Sequence, residues 1–185
     1  MAELRLVRAS LEATAGLVEL LREIGEGESG FSGEREVVAG PVATGALSAG
    51  FDVEAVLRRL VDMAAGRNLP DGYVPMTTFW ALDETGAVVG VSRLRHRLND
   101  SLLLHGGHIG YYVARSERGK GYATEMLRQT LLEARGLGIE RALLTVESDN
   151  AASIRVIEHN GGVLEDEVAG TTPGRLQRRY WIEVT

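Results

Sequence analysis

The chain of 185 residues contains no cysteine, which excludes a disulfide framework, a Cys-based zinc site and a thiol nucleophile. It has no long apolar run. Nothing approaches the ~20 residues that a membrane-spanning helix needs. Its first residues, MAELRLVRASLEA, do not place an apolar stretch after a basic one, so no signal peptide is expected. It has no excess of positive charge either. Lys and Arg total 20 against 26 Asp and Glu, a formal net charge of −6, which disfavours nucleic-acid binding. Internal repeats, low-complexity tracts and linkers are absent. What is there is ordinary: 44% apolar and 25% charged residues, as in globular domains. These features predict one soluble, cytoplasmic domain over residues 1–185, with no membrane partner.

Periodicity gives an order of elements. Glu3 to Arg8 alternates as a strand, and Ser10 is placed to cap a helix carrying Leu11, Ala15, Val18, Leu21 and Ile24. Gly25 to Gly50 is Gly-rich and aperiodic, and reads as a long loop, a mobile connection or a lid over a site. Asp52 caps a second helix with Val53, Val56, Leu57, Leu60, Val61 and Ala64 on one face. Strands follow at Thr77 to Leu82 and Ala87 to Arg95, joined by the turn Asp83-Glu84-Thr85-Gly86. A central strand and helix come next, then a strand at Arg141 to Glu147 and a helix opened by Ser148-Asp149-Asn150. Val163 to Val168 and Leu176 to Val184 form a terminal hairpin. Helices mixed with antiparallel hairpins predict an α+β fold.

The stretch His108 to Arg135, HIGYYVARSERGKGYATEMLRQTLLEAR, carries the chemistry. A strand ending at Val113 meets the turn Arg118-Gly119-Lys120-Gly121-Tyr122-Ala123, and a helix begins at once. Glycine admits close backbone approach, and a helix start offers unpaired N–H groups with partial positive charge, so this is an anion site suited to pyrophosphate. Arg118 and Lys120 add cations. It is not a dinucleotide fingerprint, because Thr124 stands where the third glycine belongs, and the P-loop spacing is absent.

Arg118-x-x-Gly121-x-Ala123 after such a strand resembles the signature of the GCN5-related N-acetyltransferases (GNAT). Asn150-x-x-Ser153 and Glu158-x-x-Gly161 resemble that family's second region. The strings GGHIGYYVARSERGKGYATEML and DNAASIRVIEHNGGVLE resemble a bacterial subgroup. The resemblance implies a three-layer α/β/α arrangement with a mixed central sheet that splays open around acetyl-CoA. It implies transfer of an acetyl group to a primary amine by direct attack, with no metal. By position, Arg118, Gly119, Lys120, Gly121, Tyr122, Ala123 and Thr124 would wrap the pyrophosphate. Val113 would pair with pantetheine and polarise the thioester carbonyl, and Asn150 and Ser153 would contact the far end of the arm. A homodimer is expected from the family alone.

One departure concerns the chemistry. Many relatives carry a tyrosine where this chain has Ile157, beside Glu158, and an apolar side chain donates no proton. The candidates left on the strand beside the thioester are His108 and Tyr112, which share a strand face if pairing is regular. The alternative for a site without an acid is a non-catalytic acyl-CoA sensor on the same fold.

Overall fold

A computed structural model of the chain describes residues 3–26 and 52–185. The Gly-rich stretch and its reading as a lid fall mostly on residues 27–51, outside the described residues. The elements in order are β1 (Arg5–Arg8), α1 (Leu17–Glu26), α2 (Val53–Ala64), β2 (Met76–Leu82), β3 (Val88–Arg95), α3 (Asp100–Leu104) and β4 (Ile109–Val113). After a single 3₁₀ turn (Arg115–Glu117) come α4 (Tyr122–Gly136), β5 (Arg141–Glu147), α5 (Ala151–His159), β6 (Val163–Ala169) and β7 (Leu176–Glu183).

The strands form two antiparallel sheets, β1-β2-β3-β4 and β5-β7-β6. On one face, Leu17, Leu20, Leu21 and Ile24 of α1 and Val56, Leu57, Leu60 and Met63 of α2 pack on Trp80 and Val91. Spacings of three, four and seven residues put an apolar stripe on each helix. On the other face, Leu127 and Ala134 of α4 and Ile154 and Ile157 of α5 pack on Phe79, Leu94, Leu144 and Tyr180. Thr130 hides its hydroxyl inside that layer by bonding both Ser92 Oγ and the Met126 carbonyl, each at 2.7 Å. The result is the expected α+β fold with helices on both faces.

Three elements depart from the sequence expectation. Helix α1 starts at Leu17, not after Ser10; Leu11 is exposed, and Ser10 Oγ accepts from Glu12 N–H at 3.3 Å. Asn99 and Asp100 open α3, a helix absent from the order of elements given by periodicity, where the Asn99 side chain accepts from Leu102 N–H. Strand β7 pairs with β6 as a hairpin should, but it also inserts between β6 and β5.

The two sheets meet at one end. Among the described residues, Gly107 and Leu144 form the isolated bridge between β4 and β5. His108 N–H donates to the Leu143 carbonyl at 2.7 Å, and Leu143 N–H donates to His108 Nδ1 at 3.0 Å. Gly107 has φ +64, and an added Cβ would overlap the Leu143 carbonyl oxygen. Glycine is needed there on both counts. Gly107→Ala should therefore lower stability by ~2 kcal/mol or more, about 4–8 °C in thermal midpoint for a chain of this size. Calorimetry checks it, and an unchanged midpoint would show that the junction tolerates a side chain.

Candidate acyl-transfer site

The site begins with the register of β4. Arg95 N–H donates to the His108 carbonyl at 2.8 Å, and Ala114 N–H donates to the Val89 carbonyl at 2.9 Å. Between those bonds the pairing with β3 runs without a shift, Leu94↔Ile109 through Gly90↔Val113. Bonded pairs alternate in an antiparallel ladder, so Gly110 and Tyr112 bond β3 while the N–H groups of Tyr111 and Val113 point away from it. They point into the gap left where β4 and β5 part beyond the Gly107–Leu144 bridge. This gap is part of a cavity of about 1100 Å³. That is at or just above the upper end of the range for small-molecule sites, about 300–1,000 Å³.

The start of α4 forms one end of the cavity. Gly119 (φ +78) and Gly121 (φ +85) are left-handed, and an added Cβ at either would meet only open space. Backbone conformation therefore explains these glycines, not crowding. Gly121 stands at the N-cap and brings no side chain, so the first N–H groups of α4 have no side-chain cap. By contrast, the side chains of Asp52, Asn99 and Asn150 cap α2, α3 and α5. Arg118, Gly119, Gly121, Tyr122, Ala123 and Thr124 line the cavity. Lys120 does not; it forms an exposed ion pair with Glu117 at 2.8 Å. Arg118 folds back, its Nε donating to the Val113 carbonyl at 3.2 Å and its guanidinium standing 5.3 Å from the centre of the Tyr112 ring.

Asn150 and Ser153 line the facing wall, where Asn150 Oδ1 accepts from Ser153 N–H at 3.1 Å. Tyr112 lines the cavity, and its hydroxyl donates to Glu23 Oε1 of α1 at 2.7 Å; the same carboxylate oxygen accepts from Arg115 N–H at 2.9 Å. Burial, then the bond to Glu23, raises the Tyr112 phenol above its ordinary pKa. His108 is placed differently. It is buried, does not line the cavity, and spends Nδ1 on Leu143 N–H. Burial, with Arg95 adding its charge, brings its imidazole down to about 4. Of the two strand candidates, the geometry leaves Tyr112 at the cavity and gives His108 to the sheet junction.

Two groups were not singled out from the sequence. Glu23 lies on a helix far from β4 in the chain, and nothing local marks it. Tyr111 lines the cavity, with its hydroxyl 3.3 Å from the Ser153 carbonyl oxygen. Its position two residues before Val113 puts both side chains on one strand face, and that spacing could have drawn attention to it. Among the described residues no group of three or more His, Asp or Glu is placed to hold a metal ion. No described helix is long and apolar enough to cross a membrane.

The model of the acetyltransferase (GNAT) domain matches residues 40–163. The chain belongs to the GNAT acetyltransferase family. It is an acyl-CoA-dependent N-acetyltransferase, with acetyl-CoA as donor. No curated protein sequence matches it. Solved structures share the fold at low identity. An acetyltransferase of the GNAT family from Streptococcus pneumoniae is 16% identical with a TM-score of 0.67, covering 99% of this chain and 100% of that one. The protein yncA from Salmonella typhimurium, solved with its cofactor acetyl-CoA, is 18% identical with a TM-score of 0.61, covering 98% and 94%. The spermidine/spermine N-acetyltransferase SpeG from Vibrio cholerae, in mutant forms, is 15% identical with a TM-score of 0.63, covering 98% and 95%.

The buried imidazole of His108 gives this GNAT domain a pH signature. An unfolded histidine takes up its proton near pH 6.5, but the folded one only near 4. Stability is thus fully present above the unfolded value and is lost as pH falls through this window. His108→Asn keeps an acceptor for Leu143 N–H and removes the titration. Denaturant unfolding from pH 7 to 4 should show a shallower loss in the variant than in the parent. Parallel curves would mean that His108 charges freely in the folded protein.

Proposed function

We propose that this GNAT enzyme moves the acetyl group of acetyl-CoA to a primary amine of a small molecule or peptide by direct attack on the thioester. The observation that carries the reading is that the uncapped start of α4 and the outward N–H of Val113 face one cavity. Opposite charges attract, so pyrophosphate belongs at the helix start, where N–H dipoles and Arg118 favour an anion. The pantetheine arm then lies along β4, and Val113 N–H donates to the thioester carbonyl as negative charge builds on oxygen. Asn150 and Ser153 bound the arm from the α5 side. Because α5 already uses the Asn150 side chain as its cap, the contribution there is shape more than new hydrogen bonds.

The acceptor enters as an ammonium with an ordinary pKa near ~10.4 and must lose a proton before attack. Tyr112 and Glu23 form a hydrogen-bonded pair beside the cavity that can relay that proton towards solvent. Positioning supplies much of the remainder, since bringing the partners together is worth about 7–11 kcal/mol. The relatives from Vibrio cholerae act on spermidine and spermine, and one spermidine N-acetyltransferase from that organism is dodecameric. An amine acceptor and self-association, as a homodimer, are carried to this chain as proposals, as are a cytoplasmic location and a single domain over residues 1–185.

The test is thiol release from acetyl-CoA with a panel of amines. The chain has no cysteine, so a thiol reagent reports only coenzyme A. Turnover should rise with pH as the acceptor loses its proton. Tight acetyl-CoA binding with no turnover on any amine would favour the sensor reading. Gly121→Glu places negative charge where pyrophosphate is proposed to sit and should abolish acetyl-CoA binding. Unchanged affinity by calorimetry would refute the site.

A further inference from the structure

The unresolved chemical question at this site is what receives the leaving sulfur, because Ile157 is apolar and buried in the α5 wall. The facing wall answers it. Tyr111 reaches from β4 across the cavity to the first turn of α5, its hydroxyl at the Ser153 carbonyl. Ser153 precedes Ile157 by one helical turn, so both lie on the same face of α5. We propose that Tyr111 donates a hydrogen bond to the departing sulfur of acetyl-CoA, doing from the strand what residue 157 does not do from the helix. This inference rests on the acetyltransferase reading of the cavity.

Three observations favour it. The hydroxyl is available, since its bond to Ser153 is 3.3 Å long, against about 2.7–2.8 Å for a usual O–H···O bond. The Ser153 carbonyl also stands in the helical ladder of α5 and keeps a partner there when Tyr111 turns away. The position is right, because Tyr111 and Val113 share a strand face and send their N–H groups into the same gap, so a carbonyl on Val113 N–H sets its sulfur near Tyr111. The competing groups are engaged: Tyr112 with Glu23, and His108 with Leu143.

The phenol acts by sharing its proton. Burial raises it to about 12, well above the ~8.5 of a reference thiol. As the amine nitrogen bonds to the carbonyl carbon, the C–S bond breaks and its electron pair goes to sulfur. The Tyr111 O–H steadies that charge, the excess proton on nitrogen passes to solvent, and the thiolate leaves as a hydrogen-bonded anion.

The experiment titrates the thiol of bound coenzyme A by its thiolate ultraviolet absorbance in the parent and in Tyr111→Phe. With no cysteine in the chain, the thiol signal is the ligand's own. A hydrogen bond to the charged form favours it. The bound thiol should therefore titrate about one unit lower in the parent than in the variant, and kcat in the variant should fall about 10- to 100-fold with the acetyl-CoA KM within about twofold. Should the variant fold poorly, 3-fluorotyrosine at position 111 keeps the shape and strengthens the donor, and the bound thiol should titrate lower still. Equal thiol titration with kcat within about threefold overturns the role of Tyr111 alone. Coenzyme A that fails to bind the parent overturns the acetyltransferase site and this inference with it.

Discussion

The structure depends on one short junction, where Gly107 and His108 meet Leu143 and Leu144. One backbone bond, from His108 N–H to the Leu143 carbonyl, and one from Leu143 N–H to the His108 imidazole hold the sheets together there, and the close approach leaves no room for a Cβ at 107. Had β4 and β5 paired along their length, the N–H groups of Tyr111 and Val113 would be consumed by the sheet. Because pairing stops after the junction, those groups are left for a ligand. The cavity is thus a consequence of arrested sheet formation, set by a glycine and a buried neutral histidine. Burial keeps that histidine uncharged, which lets Nδ1 accept from Leu143 at neutral pH.

Around the gap, one wall is electrostatic and the other is mechanical. The α4 side offers dipoles and Arg118, while its second cation, Lys120, is drawn off to Glu117. The α5 side is closed by its own cap and by Asn160, whose side chain bonds the carbonyls of Thr124 and Val156 and ties α4 to α5. Membership of the GNAT family names the donor; Ile157, apolar and buried in the α5 wall, brings no proton donor to it.

Much of this was legible in the sequence, for a physical reason. The turn from Arg118 to Ala123 is local: left-handed glycines and a helix start are encoded within a few residues. The apolar stripes of α1 and α2 are likewise periodic. What was hidden is non-local or short. Nothing in Leu176 to Glu183 announces that β7 divides β5 from β6. A five-residue helix such as α3 is too short to show a period. Strand alternation put His108 and Tyr112 on one face if pairing was regular, but parity does not say which groups stay at the cavity. That depends on Glu23 and Leu143, which are distant in the chain.

The bare start of α4 has one more consequence. A helix that opens on Gly121 is short of hydrogen-bond acceptors for its first turn, and α4 is the longest described helix and packs on both sheets. At the site proposed for it, a bound pyrophosphate would complete that turn, and the donor would then act as a part of the fold supplied from solution. Occupancy then shifts the folding equilibrium by mass action, by about 2.7 kcal/mol at a hundredfold excess over the dissociation constant. The enzyme's resistance to unfolding would rise and fall with the supply of acetyl-CoA, and the protein's lifetime would register the metabolic state that feeds its reaction.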